Sequence, residues 1–431
     1  MNTHLGINIA SNQIPSRFEA WVLALIIGMS FLFHYVSGIV FALTIIILTG
    51  LFIILKPLMV GDQHWFVFLW FPAMIMIAIS FLLSQKSLGA LMDILILFCG
   101  ILLVLFSSRN ADTYRLSMKI VVIFGVYFAI GVIMQRFMPN LYLNIIQYIP
   151  GLTKEIVERH KGYTTGFSVN PGYTAGYICA AILALISPFT TLKSVIKKKN
   201  IITFFLFIAL LFTGKRGHVI YLIITLMIGY LLPIKGQERI KRFATLSGLL
   251  FLTAILVFIF RGSLTKVPTI NRIFESISNF SSGEDISNVR LGLSSWAWDL
   301  FKKNMFLGIG WGNFKTTVVG NVTLVAILDT HNIYFQLLCE TGIIGFFCIV
   351  TPLISFWALT CKHYQRYVEG KFYSDGWHSL LFFSFSYQTF FLIYGFAGNV
   401  LYDQHFQIIY MFSCSIIIAY LLDKHFLPLS L

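Results

Sequence analysis

"THNIYFQLLCETGIIGFF", Thr330 to Phe347, opens on a His-Asn pair and then turns apolar, interrupted by one acid, Glu340, and two glycines, Gly342 and Gly345. The apolar character continues to about residue 360, which exceeds the ~20 residues that a perpendicular membrane helix needs. The segment before it, about 262–331, is the longest polar region of the chain. A histidine therefore stands where a polar segment meets a membrane helix.

Eleven further apolar runs lie around it, at roughly 20–35, 38–55, 65–83, 89–107, 118–135, 172–189, 200–214, 217–234, 245–261, 377–397 and 405–422. The 431 residues are 58% hydrophobic and 11% charged, against about 25% charged in soluble domains, which excludes a soluble core. The expectation is an all-α polytopic membrane protein: one membrane domain over 1–431, about twelve transmembrane helices, and a large extracytoplasmic loop between spans nine and ten.

The short loops after spans four, six, eight and ten hold basic clusters, among them Arg109 with Arg115, Lys197 to Lys199, Lys235 with Arg239, and Lys362 with Arg366. Basic short loops stay in the cytoplasm, so both termini are expected there, in a cytoplasmic-membrane protein. Segments 136–171 and 262–331 then face outward; long loops are exempt from that rule. The net charge of +14 reads as lipid head-group contact plus a polyanionic substrate, with no nucleic acid implied. Six cysteines lie in or beside apolar runs without a CxxC pair, and they read as small packing residues. Neither a metal nor a cofactor is expected.

Chemistry concentrates in the outward segments. "GKRGH", Gly214 to His218, places Lys215 and Arg216 at the outer boundary with no acid nearby in sequence. Either they snorkel at the interface or they clamp an anion, a task the guanidinium fork suits. "SNVRLGLSSWAWDLFKKNMF" is amphipathic over about 286–303: at about 100° per residue, Val289, Leu293, Trp296, Ala297, Leu300 and Phe301 share one sector. Arg290 falls inside that apolar sector, which calls for an ion pair with Glu284 or Asp285 or for a role facing substrate. "GIGWGNF", Gly308 to Phe314, reads as a structural turn with close backbone approach. His331, at the mouth of the re-entering helix, is either structural or a proton-transfer group. Glu340 lies half a helical turn out of phase with His331, so it is expected to support helix packing, with Gly342 and Gly345 allowing close approach.

Three motifs in this order, "TGKRGHVIYL", "VRLGLSSWAWDLFKKNMFLGIGWGNF" and "THNIYFQLLCETGIIGFF", resemble the O-antigen ligase and O-antigen polymerase superfamily. The similarity is strongest from about 205 to 350, and "GFSVNPGYTAG", Gly166 to Gly176, is similar to the family's mid-chain segment. The resemblance implies a metal-independent membrane glycosyltransferase, and because no outer-face carboxylate pair is apparent in the sequence, a single inverting displacement is expected over a retaining double one. Its implied donor is an undecaprenyl-diphosphate-linked oligosaccharide, used on the outer face of the cytoplasmic membrane without nucleotide sugar. The implied catalytic residues are Arg216, Arg290 and His331, with Lys215, Asn170, Asn332 and Trp311 as substrate contacts. Membrane lipid, a flippase and a chain-length regulator are the implied partners.

The "GIGWGNF" stretch and the Phe-, Ile- and Lys-rich composition favour a polymerase of O-antigen, capsule or exopolysaccharide over a ligase acting on a lipid A core. A transporter or flippase for an anionic glycolipid is the rival of another class. Transporters bind at mid-membrane, where Asp93 and Glu340 are the main acids.

Overall fold

The computed structural model describes residues 13–55, 68–84, 88–160, 162–186, 193–282, 290–315, 329–370 and 376–424. Among these all regular structure is helical. The first half contains α1 (Gln13–Leu32), α2 (Gly38–Ile54), α3 (Trp70–Leu83), α4 (Leu88–Leu105), α5 (Ala111–Phe137), α6 (Pro139–Ile146), α7 (Lys154–Arg159), α8 (Pro171–Leu185) and α9 (Lys193–Phe212). Then follow α10 (Arg216–Leu231), α11 (Gly236–Ile259), α12 (Arg261–Leu264), α13 (Pro268–Ser282), α14 (Arg290–Lys303), α15 (Ile333–Glu369), α16 (His378–Tyr394) and α17 (Gln404–Lys424).

Each of the twelve apolar runs carries one helix. Six helices, α1, α4, α5, α11, α15 and α17, are long and apolar enough to cross a membrane, and α2, α3, α8, α9 and α10 are apolar but shorter. Together they make a membrane protein. The helix α16 is buried along nearly its whole length, and so is α17. They pack on each other at the centre, ringed by α1, α4, α8, α10 and α15. Outer helices expose large apolar side chains, such as Ile47, Leu82 and Phe251, as lipid-facing surfaces do. Polar side chains tie the centre together: the Ser384 hydroxyl donates to the Ser413 carbonyl at 2.6 Å, and the Gln388 amide donates to Thr360 and Ser384 at 3.1 Å each. Such bonds lock helices where apolar contact alone has no preference over lipid.

The helix α15 breaks at Gly342, whose backbone is left-handed (φ 65°, ψ −175°). A Cβ there would sit 2.2 Å from the Phe306 carbonyl oxygen, so only glycine fits. The break frees carbonyls that the helix would otherwise satisfy. The segment after α14 takes them up: Ile309 and Gly310 N–H donate to the Cys339 and Glu340 carbonyls at 2.9 Å, and Ile343 N–H donates to the Met305 carbonyl at 2.8 Å. Glu340 completes the lock. Its carboxylate accepts from Gly312 N–H (2.8 Å), Phe314 N–H (3.1 Å) and the Tyr402 hydroxyl (2.6 Å). "GIGWGNF" is thus the structural turn expected of it, and Glu340 and Gly342 hold it. Gly345 instead faces the Thr341 side chain of its own helix.

The amphipathic helix α14 docks by a stripe narrower than the sequence phase suggests. Leu293, Ala297 and Phe301 are buried and cluster with Cys339 of α15 and Phe314, whereas Trp296 is 38% exposed and Leu300 is half-buried. One helix edge meets one partner, so the flanks of the sector stay open. Val289, Glu284 and Asp285 lie outside the described residues.

Candidate active site

Six segments far apart in sequence close around one cavity of about 520 Å³. Its cationic lining is Lys215, Arg216, Arg272 and Arg290, its acidic lining is Asp329 and Asp403, and His331 also faces it.

The turn between α9 and α10 presents Lys215 and Arg216. Gly214 is left-handed (φ +79°), and a Cβ there would come within 3.1 Å of the Gly162 carbonyl oxygen. The adjacent strand of backbone is joined by Thr164 N–H donating to the Thr213 carbonyl at 3.2 Å. This brings Tyr163 to the cavity, where its ring lies 4.6 Å from the Lys215 ammonium and 4.0 Å from the Arg272 guanidinium. A ring face between two cations offsets part of their repulsion. Arg216 donates to the Arg272 carbonyl at 3.2 Å. Burial, then Arg290 and Arg272, lower the Lys215 ammonium to about 8, so it remains mostly charged at neutral pH.

The helix ends add positive potential. Asn170 caps α8, accepting from Gly172 N–H at 2.7 Å, and Pro171 occupies the first helical position. Asn170 and Gly172 line the cavity. Arg216 itself begins α10. Helix N-termini carry a partial positive charge and unpaired N–H groups, which favour anions.

The "THN" motif divides its labour. Thr330 is buried, and its hydroxyl donates to the Asn332 carbonyl at 2.7 Å. Asn332 caps α15, accepting from Tyr334 and Phe335 N–H at 3.0 and 3.3 Å. Between them His331 is forced to φ 52°, the only positive φ at a non-glycine among the described residues. Such a backbone costs on the order of 1–3 kcal/mol and turns the imidazole into the cavity. Burial first, then the Arg290 charge, lower that imidazole to about 4. It is therefore neutral, and able to accept a proton, at physiological pH.

Arg290 stands at the first turn of α14 and is exposed. Its apolar-sector phase brings it to the end of the docked stripe, where the cavity begins. A second cavity, about 740 Å³, meets the first at Arg290 and His331. Trp298, Phe335, Phe396, Ser294 and Asn332 line it.

The cavities thus gather Lys215, Arg216, Asn170, Arg290, His331 and Asn332. They do not include Trp311, which is buried, stacked on Tyr402 with ring centroids 4.5 Å apart, and held by its backbone N–H donating to the Ser80 carbonyl at 3.1 Å. Several lining residues escape the sequence reading, Arg272, Tyr163, Asp329 and Asp403 among them. Arg272 was visible only as one basic residue among several of the outer segment. Tyr163 carried no charge signal. Asp403 sits between the last two apolar runs, far in sequence from every motif. Burial, then Asp329, raise its carboxyl to about 7, and Asp329 itself pairs with Lys315 at 3.1 Å. No outer-face carboxylate pair was expected from the sequence, yet these two line the same cavity.

The acids within apolar runs have fixed partners. Glu340 holds the turn described above, and Asp93 accepts from the Gln404 amide at 2.9 Å. Residues 201–350 match the family model described as O-antigen ligase, a span that contains the cationic turn, α13, α14 and the "THN" junction. Among curated proteins none matches the chain.

Proposed function

We propose that the chain, whose residues 201–350 match the family model described as O-antigen ligase, is a glycosyl-transfer enzyme and specifically a polysaccharide polymerase. It transfers a growing glycan from undecaprenyl diphosphate to a lipid-linked repeat unit on the outer face of the cytoplasmic membrane. The observation that carries this reading is the gathering of Lys215, Arg216, Arg272 and Arg290 around one cavity with a neutral His331.

The acceptor hydroxyl oxygen attacks the sugar carbon as the carbon–phosphate oxygen bond breaks. The electron pair leaves on the diphosphate, whose growing charge the guanidinium groups and helix ends stabilise; fixed donors in a low-dielectric site are most effective there. The hydroxyl proton passes to His331. One displacement of this kind inverts the anomeric centre. Asp403 gives a second reading of the proton acceptor, because it lines the same cavity.

A ligase uses the same donor and the same cations, and the description of the matched family favours it. Purified protein incubated with one lipid-linked repeat unit separates the two. A ladder of products supports the polymerase, and reaction only after addition of a lipid A core shows a ligase. A transporter produces no new glycosidic bond in either case.

A further inference from the structure

Beyond its charged rim the cationic cavity continues down one face of α10, along Ile220 and Ile224. These side chains are 43% and 39% exposed, so the wall is open rather than packed. The same stripe continues as Ile223, Met227 and Tyr230, at the three- and four-residue spacing of a single helix face. There it borders an almost wholly apolar slot of about 330 Å³, closed on the far side by Leu249 and Leu250 of α11 and by Phe382 of α16.

The helix α11 makes an unusual wall. It is long and apolar enough to cross a membrane, yet none of its apolar window is buried. Its contacts with the rest of the bundle are confined mainly to α10 and α12. A slot between α10 and such a helix opens sideways to lipid. Along α10 it follows on the cationic chamber, Ile223 and Met227 of the slot lying one turn beyond Ile220 and Ile224 of the cavity, while the slot itself has almost no polar lining. That combination fits one chemical class: an amphiphile with an anionic diphosphate head and a long hydrocarbon chain. From Arg216 to Tyr230 the helix offers about 21 Å of track at 1.5 Å per residue.

We infer that the slot between α10 and α11 holds the polyprenyl chain of the donor while its diphosphate occupies the cationic cavity; the inference rests on the function proposed above. Bulk lipid tails are as apolar as the slot, so hydrophobic transfer gives no preference. Selectivity comes from close packing, which is small per atom and adds along the chain. A short isoprenoid stops beside Ile224 and gains little, whereas a long one fills the slot.

The test needs binding and no turnover. Protein in nanodiscs of one phospholipid is titrated with undecaprenyl diphosphate and with farnesyl diphosphate. The expected Kd is about tenfold lower for the long chain. Leu249→Trp, which fills the slot, brings the two affinities together while leaving farnesyl diphosphate within twofold. Phe251→Trp, on a position 69% exposed on the same helix, preserves the difference. Should Leu249→Trp fail to fold, as judged by its melting temperature, Leu226→Phe in the slot wall replaces it. Equal affinities in the unmodified protein, or selectivity that survives a filled slot, overturn the inference and leave the slot to ordinary acyl chains. Such a failure still shows binding that depends on Arg216. If neither diphosphate binds and Arg216→Ala changes nothing, the proposed function falls together with the inference.

Discussion

Two glycine-flanked turns carry the most conspicuous polar residues of the chain, and they serve opposite ends. In "GIGWGNF" almost every polar group finds an internal partner: backbone N–H groups on the broken helix, and the Glu340 carboxylate on two N–H groups and a hydroxyl. In "GKRGH" the cationic heads of Lys215 and Arg216, though held by the Tyr163 ring and the Arg272 carbonyl, line an open cavity. Buried polar groups must be satisfied, and a site is recognised where charge is gathered but directed at space. The two turns are coupled, because α14 stands on the cluster that includes Phe314 and carries Arg290 at its other end.

The largest effects should come from breaking the open side. Arg216→Ala and Arg290→Ala are expected to lower the transfer rate by about 10²–10³ each, with the protein still inserted and folded. His331→Ala should cost about 10²–10⁴ in kcat with little change in donor binding. Full activity in both arginine variants, measured by product ladders, removes the diphosphate clamp and with it the contrast between the turns.

The acid limb of the rate profile identifies the base. A group acting as base loses activity as pH falls through its pKa. His331, lowered to about 4, sustains the rate down to about pH 4. Asp403, raised to about 7, loses it below about pH 7. A limb near 7 transfers the role to Asp403. On the alkaline side, Lys215 loses its charge as pH rises through about 8, so the donor KM should rise above that pH.

Breaking the closed turn should act on stability before chemistry. Glu340→Ala strands two N–H groups and the Tyr402 hydroxyl, each costing about 1–3 kcal/mol when buried without a partner. Gly342→Ala adds a left-handed alanine and a backbone collision, about 2–5 kcal/mol from strain and overpacking. Melting in detergent reports both. A variant that keeps its melting temperature yet loses transfer would make the closed turn part of the site.

What the sequence made legible followed from local physics. Hydropathy located the helices, and helical phase found Leu293, Ala297 and Phe301 on one stripe. Basic residues at a membrane boundary, with no acid near them in sequence, marked Lys215 and Arg216. Other features needed the third dimension. Arg272, Tyr163 and Asp403 reach the cavity from three separate segments, and no spacing rule joins them. The break at Gly342 was hidden because helix and break have the same apolar composition. Trp311, a substrate contact by resemblance alone, sits instead in a turn read as structural, packed on Tyr402.

The smallest expected effect tests a residue that belongs to both worlds. Asn332 caps α15 and also lines the second cavity. Loss of the cap in Asn332→Ala should cost about 1 kcal/mol, visible as a lower melting temperature. Asn332→Ser restores a capping oxygen but shortens the side chain at the cavity. If its only task is to hold His331 at the helix mouth, serine recovers stability and transfer together. If the amide also contacts a sugar, serine recovers stability alone and the acceptor KM stays raised, because a donor pair toward the cavity has been lost while the backbone that presents the imidazole has not.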